Sequence, residues 1–510
     1  MTGHTLIQHT YIPLIIPMHR FALTIMSLLC CTMLSAQLSR LGKDIEYEAT
    51  LNGQFGDGEH APFWQTANRF GLASTKNNSG YLRAAIRRDS EADSLRKWRI
   101  GYGADMAVPF GWDSKFVLQQ LYAEFAYLKV RLSIGQKERH SELKNDALTS
   151  GSMVLGTNAR PLPQVRLETS DFFAIPGTRH WVSLKGHAAY GWYTDNRWQR
   201  DFNHGVKGAI FTANSLYHSK AGYMRVGNPD KFPLVFTGGA EMVCQFGGTV
   251  WNRGITNRPD GGYDMPAGLK EYCQAFIPTG SDVTDGDNPN VMGNQVGSYQ
   301  VRLDYHGHGW IASLYGEHFF EDHSMMGWDF DWKDFLWGAE VKLPKNPFLS
   351  TIVLEHQRTT DQSGAVFVNT SQHIRPIGGV DNYYHHGLYG SYQHAGFMMG
   401  TPLILSPIYR TDGHLEPTDS RLTAHHIGLS GNPHPDVSYR ILYTYEKSLG
   451  TYPQPRQSPT TGQFLLVESS YRPHQVKGLS FTASYGQNMG ELLGSSKGGM
   501  LSVGYSGWIK

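Results

Sequence analysis

The chain has 510 residues, a formal net charge of +1, charged residues at 17% and aromatic residues at 12%, with 57 Gly and 27 Tyr. So even a charge balance offers no basic face to nucleic acid, and no apolar run beyond the N-terminus is long enough for a spanning helix. Low charge with abundant Tyr and Gly fits a chain built from many short strands.

His19 and Arg20 precede the apolar run Phe21 to Leu34, which ends at Ser35-Ala36-Gln37. This pattern predicts an export signal over residues 1–36, cleaved after Ala36, with Met18 as an alternative start. The mature chain, 37–510, then keeps two cysteines, Cys244 and Cys273, in a compartment where a disulfide can persist. A disulfide and two thiols both remain open.

Tyr47, Ala49 and Leu51 suggest a first strand. Gly58 to Leu72 is aromatic and without a period, suited to plug or line a pore mouth or to pack as a loop. Strand patterns follow at 82–87, 98–108, and 117–127, where Val117, Leu121, Ala123, Phe125 and Tyr127 oppose Gln120, Tyr122 and Glu124. Arg131 to Gly135 pairs with the latter across a short turn. Further patterns lie at 182–192, 234–244, 349–358 and 437–446, with others near 221, 422, 464 and 479. The stretch 298–343 is the clearest. Tyr299, Val301, Leu303 and Tyr305 alternate with Gln300, Arg302, Asp304 and His306, and a Gly-His-Gly turn leads back through Trp310, Ala312 and Leu314. His318 to Ser324 reads as a loop, and a strand resumes at Phe335. The last strand sets Leu501, Val503, Tyr505 and Ile509 against Ser502, Gly504 and Ser506.

Each strand thus has a polar face of Arg, Asp, His, Glu and Lys and an apolar face rich in Tyr and Trp. That mixture suits a wet lumen wall and a lipid-facing surface with an interfacial girdle. No blade-length repeat supports a propeller. The expected fold is all-β: a transmembrane antiparallel β-barrel of about 18 strands, with short helices and long loops occluding the mouth. Segments 245–297 and 359–420 are expected to be external or lumen-occluding loops. In the first, Asp264 and Pro266 predict a helix start, and Leu269, Tyr272, Cys273 and Phe276 form one stripe.

Several strings, in order over 45–455, resemble the Wzi family of outer-membrane capsule-assembly proteins. They include His60-Ala-Pro-Phe-Trp, Ala67-Asn-Arg-Phe-Gly, Asn158-Ala-Arg-Pro-Leu-Pro-Gln, Leu216-Tyr-His-Ser-Lys, Glu317-His-Phe-Phe-Glu-Asp-His-Ser and Asp381-Asn-Tyr-Tyr. The resemblance implies a monomeric barrel of the cell outer membrane that holds capsular or surface polysaccharide as a lectin does, with outer-membrane lipid around it. It implies neither enzyme activity nor a cofactor. The family's periplasmic helical bundle finds no helical stretch between Gln37 and Tyr47, and 136–160 is its best candidate here.

Glycan recognition needs aromatic faces for sugar rings and amide, carboxylate or His partners for hydroxyls. Two loops carry both: Trp328, Asp329, Asp331, Trp332 and Asp334, and Asp381, Asn382, Tyr383, Tyr384 and His385. They are expected to face outward and bind polysaccharide, against the alternative that they pack to close the barrel. His318, Glu321, Asp322 and His323 have the wrong spacing for a metal cage, so no metal is expected. Pro289 breaks a calcium-loop reading of Asp282, Asp285, Asp287 and Asn288. The rival functions are a saccharide-conducting channel and, further off, a hydrolase using paired carboxylates such as Glu317 and Glu321.

Overall fold

A computed structural model describes residues 41–93, 95–278, 292–321, 333–362 and 381–510. Eighteen antiparallel strands close into one barrel. They are β1 (Ile45–Gly58), β2 (Ser79–Arg88), β3 (Trp98–Phe110), β4 (Val117–Tyr127), β5 (Val130–Gln136) and β6 (Pro163–Thr169). The wall continues with β7 (Val182–Trp192), β8 (Leu216–Val226), β9 (Leu234–Phe246), β10 (Asn294–His306), β11 (Ile311–Glu321) and β12 (Phe335–Lys342). It ends with β13 (Thr351–Arg358), β14 (Leu422–His434), β15 (Val437–Gly450), β16 (Pro455–Tyr471), β17 (Leu479–Gly490) and β18 (Ser496–Ile509). Each pairs with its sequence neighbours, and β1 closes on β18 from Ile45↔Ile509 to Gly58↔Ser496. Closure leaves no open edge, as a hydrocarbon setting requires. Among the described residues, no helix is long and apolar enough to cross a membrane.

The alternation read from the sequence decides which face meets which phase. In β10 and β11, Val301, Leu303, Tyr305 and Leu314 are exposed, while Gln300, Ser313 and Glu317 are buried. The same inversion of ordinary burial recurs at Leu82, Leu121, Leu167 and Leu501. An apolar band exposed around the whole wall is stable only against acyl chains. Replacing Leu314 (64% exposed) by Arg is therefore expected to cost about 2 kcal/mol of insertion free energy. Folding into lipid bilayers measures it, and an unchanged free energy would argue against lipid contact there.

The longest connections, 137–162, 193–215, 247–293 and 359–421, all lie at one end of the barrel. The turn Leu128-Lys129 and those at 227–233, 307–310, 435–436 and 472–478 lie at the other end, periplasmic in barrels of this type. At that end Trp98 lies against Tyr127 (4.1 Å between ring centroids, tilted by 35°), and Tyr305 lies beside Trp310 (5.4 Å). Both pairs are exposed and form an interfacial girdle. Phe55, Phe110, Trp192 and Trp337 are exposed near the opposite, external ends of their strands.

The long external connections turn inward. Residues 59–78 bring Phe63 and Trp64 into the lumen, 137–162 bring Leu148, Met153 and Val154, and 381–421 bring Tyr383, Tyr384, Tyr392 and Met398. They form one buried cluster with Val243, Val296, Phe319, Leu336 and Val353 of the wall. A buried irregular chain must find partners for its backbone groups, and the wall supplies them. Phe63 N donates to Asn488 Oδ1 (2.9 Å), Ser150 N to Glu355 (2.6 Å) and Met153 N to Glu317 (3.0 Å). Two close approaches need glycine. A Cβ on Gly428 would sit 2.1 Å from the Leu148 carbonyl oxygen, and one on Gly400 2.1 Å from the Tyr384 hydroxyl.

Only part of the lumen is therefore the wet, charged centre that the sequence suggests. Arg302 bridges Asp304 and Glu340, both at 2.8 Å, in the periplasmic half. In the external half the loops pack an apolar cluster against wall residues such as Val296, Phe319 and Leu336, with buried polar wall groups such as Glu317, Glu355 and Asn488 taking up the plug's backbone donors. The aromatic stretch 58–72 plugs the barrel, as one of its two readings proposed.

Other differences have local causes. Val117 is buried although Leu121 on the same parity is exposed, because a β-bulge shifts the register between Asp105↔Gln120 and Met106↔Leu118 and turns Gln119 and Gln120 both inward. His318 to Glu321 continue β11 rather than forming a loop. Segment 136–160 contains no helix among the described residues; it is plug. The helix predicted after Asp264 exists as Leu269–Phe276, but Gly268 caps it, its N–H bonded to Glu271 at 2.7 Å. Asp264 instead takes the Thr249 hydroxyl at 2.6 Å. That helix buries Ala275 and packs Tyr272 on Phe246, leaving Leu269 and Cys273 exposed. Cys244 and Cys273 form no disulfide; the buried Cys244 thiol lies 3.6 Å from the Met292 carbonyl. The signal-peptide expectation and Asp282 to Asn288 lie outside the described residues.

Candidate functional site

The external mouth is built by the connections that also form the plug, so each contributes buried and exposed residues. The 381–386 stretch mixes buried and half-buried residues. Tyr383 and Tyr384 are fully buried, their rings 4.6 and 5.3 Å from Phe319. The Tyr384 hydroxyl donates to Met153 O and accepts from Thr401 N (3.1 Å). Neither ring has a face open to a sugar. Asp334 is buried too and accepts from Asp361 N (3.0 Å), Gln362 N (2.5 Å) and the Tyr383 hydroxyl (3.1 Å). These three pack the mouth shut. Trp328, Asp329, Asp331 and Trp332 lie outside the described residues.

Asn382 and His385 come instead to the surface of a cleft of about 450 Å³ that also holds Arg410, Asp412, His414, Glu416 and the turn Thr451 to Gln454. Arg410 Nε donates to Asp412 (2.9 Å), and its Nη1 donates to the Glu416 carbonyl (2.6 Å). His414 Nδ1 lies 3.3 Å from the Glu416 carboxylate. Asn382 Oδ1 accepts from Ser420 Oγ at 2.7 Å. Burial holds the His385 imidazole below its ordinary value, so at neutral pH it presents one donor and one acceptor. The cleft thus offers amide, imidazole, guanidinium and carboxylate groups, a set that can read hydroxyls.

Asp381 sits beneath it, and burial pushes its carboxyl up to about 6 despite the Asn382 N–H donated to it at 2.8 Å. A raised carboxyl keeps its proton longer in the folded state. Its stabilising contribution is full below the ordinary value of 3.8 and is lost as pH rises through about 6. Asp381→Asn should therefore match the wild type near pH 4 and exceed it at pH 7 in unfolding midpoint. Parallel profiles would contradict this.

A second external cleft, about 420 Å³, is lined by Asn196, Arg197, Arg200, Phe211, Ala213 and Trp251. Trp251 is half-buried and stacks on Phe211 with 13° between the rings, their centroids 6.3 Å apart. The arginines stand on a helix, Asn196–Asn203, where Arg197 lies 3.3 Å from Asp201. Here an aromatic platform does stand beside polar groups. The sequence reading missed these residues and Arg410 to Glu416. The signal was present as polar runs, Asn196-Arg-Trp-Gln-Arg and Arg410-Thr-Asp-Gly-His-Leu-Glu, within long connections.

The paired carboxylates are not poised for hydrolysis. Glu317 accepts from Lys144 Nζ, Ser152 Oγ (3.1 Å) and Met153 N (3.0 Å), and Glu321 from Tyr384 N (3.1 Å). Among the described residues, no group of three or more His, Cys, Asp and Glu side chains could hold a metal ion.

No protein-family model and no curated protein matches the chain. Among solved structures, the barrel is similar to Wzi of Escherichia coli, described as an outer-membrane protein involved in group 1 capsule assembly and a carbohydrate-binding β-barrel. The TM-score is 0.53 at 14% identity, over 93% of this chain and 86% of that one. Fainter likenesses are to OccAB2 of Acinetobacter baumannii (TM-score 0.46, 10% identity, 92% and 98% covered) and OpdQ of Pseudomonas aeruginosa (0.44, 10%, 92% and 98%). At these identities the likeness is one of fold. The fold is that of an outer-membrane β-barrel, and the Wzi resemblance read from the sequence strings has its structural counterpart.

Proposed function

We propose that this protein is a non-enzymatic outer-membrane barrel that holds surface polysaccharide at its external mouth. The observation that carries the reading is the packed plug. A lumen filled by Trp64, Met153, Tyr384 and Phe319 favours a surface for binding over a path for transport. Two polar clefts on the external side, one with Trp251 as a platform, supply the groups that glycan recognition requires. The carbohydrate binding described for Wzi supports the same reading. Trp328, Asp329, Asp331 and Trp332, whose aromatic and carboxylate side chains suit glycan recognition, are part of the same proposal.

Titrating purified surface polysaccharide onto the detergent-solubilised barrel tests it. Trp251→Ala, and separately Asn382→Ala with His385→Ala, should each weaken binding about tenfold, equivalent to about 1.4 kcal/mol. The pair Trp328→Ala and Trp332→Ala should reduce capsule retention on cells. Undiminished binding and retention by intact barrels would contradict the proposal.

A further inference from the structure

The periplasmic side of the plug holds a different chemistry from the mouth. A cavity of about 120 Å³ lies between the plug and the wall formed by β6 to β9. Leu162, Tyr392 and Met399 of the plug roof it, while Glu168, Thr169 and Lys185 come from the short-turn ends of β6 and β7. Apart from two histidines, its charged lining is five cations, Lys137, Arg139, Arg160, Arg166 and Lys185, against three carboxylates, Glu142, Glu168 and Glu241.

Each of those carboxylates already has a partner. Glu142 is 2.7 Å from Lys185, Glu168 is 2.5 Å from Arg166, and Glu241 takes the Tyr223 hydroxyl. Lys137 is satisfied outside the cavity by Glu124 at 2.8 Å. Arg139 and Arg160 are left over. Arg139 donates only to neutral groups, the Lys137 carbonyl (3.0 Å) and Ser133 Oγ (2.7 Å). The Arg160 Nε is buried without a hydrogen-bond partner. Among the described residues, neither guanidinium has a carboxylate within ion-pair distance. Burial lowers both groups to about 10; Arg166 adds to the effect at Arg139 while Glu168 and Glu124 oppose it, and Asp195 opposes it at Arg160.

Partly buried cations with no carboxylate in direct contact are costly, and two that line one cavity define its complement. We propose that this cavity binds a small anionic group, a carboxylate or a phosphate, presented from the periplasmic side, with Arg139 and Arg160 as its ligands. Planar guanidinium forks match either anion. The volume admits one such group, comparable to an engineered cavity that holds benzene, and excludes an oligosaccharide. The site is independent of the external clefts.

The test is calorimetric titration of the purified full barrel, at low salt, with inorganic phosphate, sodium glucuronate and glucose. Saturable binding of phosphate or glucuronate, with none of glucose, is expected. Phosphate alone would assign a phosphate ligand, and glucuronate alone a sugar acid; each supports the site. Arg139→Gln and Arg160→Gln should each weaken the anion about tenfold, with Arg139→Lys losing less. If a variant misfolds, as judged by heat-modifiable gel mobility, protection of the wild type decides. Bound anion should then shield Arg139 and Arg160 from phenylglyoxal, read by peptide mass. Absence of anion binding up to about 100 mM overturns the proposal. So does binding that survives both Gln substitutions, or an anion that leaves both arginines unprotected.

Discussion

Replacing Glu317 by Ala is expected to lower barrel stability by about 3–5 kcal/mol and to loosen the plug. Glu317 projects from β11 into the lumen with its side chain wholly buried, and its donors Lys144, Ser152 and Met153 all belong to the plug segment 137–162. Gln300 of the wall adds a fourth at 3.3 Å. Lys144 is itself nearly buried, with only the Gly151 carbonyl (2.9 Å) as a further acceptor. Removing the carboxylate leaves that ammonium without its counter-ion and the Ser152 and Met153 donors without an acceptor, while Gln300 keeps Ser298 Oγ at 3.2 Å. Glu317→Gln keeps acceptor oxygen without charge and should fall between. The urea midpoint of the detergent-folded barrel reads the effect. A midpoint unchanged in Glu317→Ala would mean that this carboxylate does not hold the plug.

Trp64→Ala should have a comparable cost, about 3–5 kcal/mol, from the cavity that it opens. The indole is 2% exposed, edge-on to Phe63 at 4.9 Å and 5.1 Å from His426, with Nε1 donating to Thr444 Oγ1 at 3.2 Å. Thr444 keeps a partner in His426 Nδ1 (2.8 Å), so the loss is mainly of packing. Trp64→Phe should accordingly cost only about 1–2 kcal/mol. A change within about 0.5 kcal/mol for Trp64→Ala, the range of surface substitutions, would place this ring outside the core.

The wall was legible because one physical rule governs it: every second residue meets lipid. Val301, Leu303 and Tyr305 obey it without exception, and pairing follows from short turns such as Leu128-Lys129. Val117 escaped because a single inserted residue reverses parity, which composition does not announce. The strand Pro163–Thr169 was also missed; proline opens it, where a missing N–H costs nothing.

The plug was readable only as an aromatic stretch without a period. Met153 and Val154 lie in irregular chain whose backbone is satisfied by side chains far away in sequence, such as Glu317 and Glu355, so no local pattern marks them. The same problem divided the candidate site. Asn382 and His385 reach the surface while Tyr383 and Tyr384 go inside, a choice made by Phe319 and Met153 across the lumen rather than by neighbours in the chain. Trp251 beside Phe211 arises from two small strands, Phe211–Ala213 and Thr249–Trp251, paired across separate connections. Sequence proximity could not suggest it.

The loops folded into the external half of the lumen close the barrel. Recording purified wild-type barrel in planar lipid bilayers tests this closure most directly. A flat current trace is expected, with steps appearing in Glu317→Ala as the plug loosens. Stable, stepwise ion conductance from the wild-type protein would contradict the account.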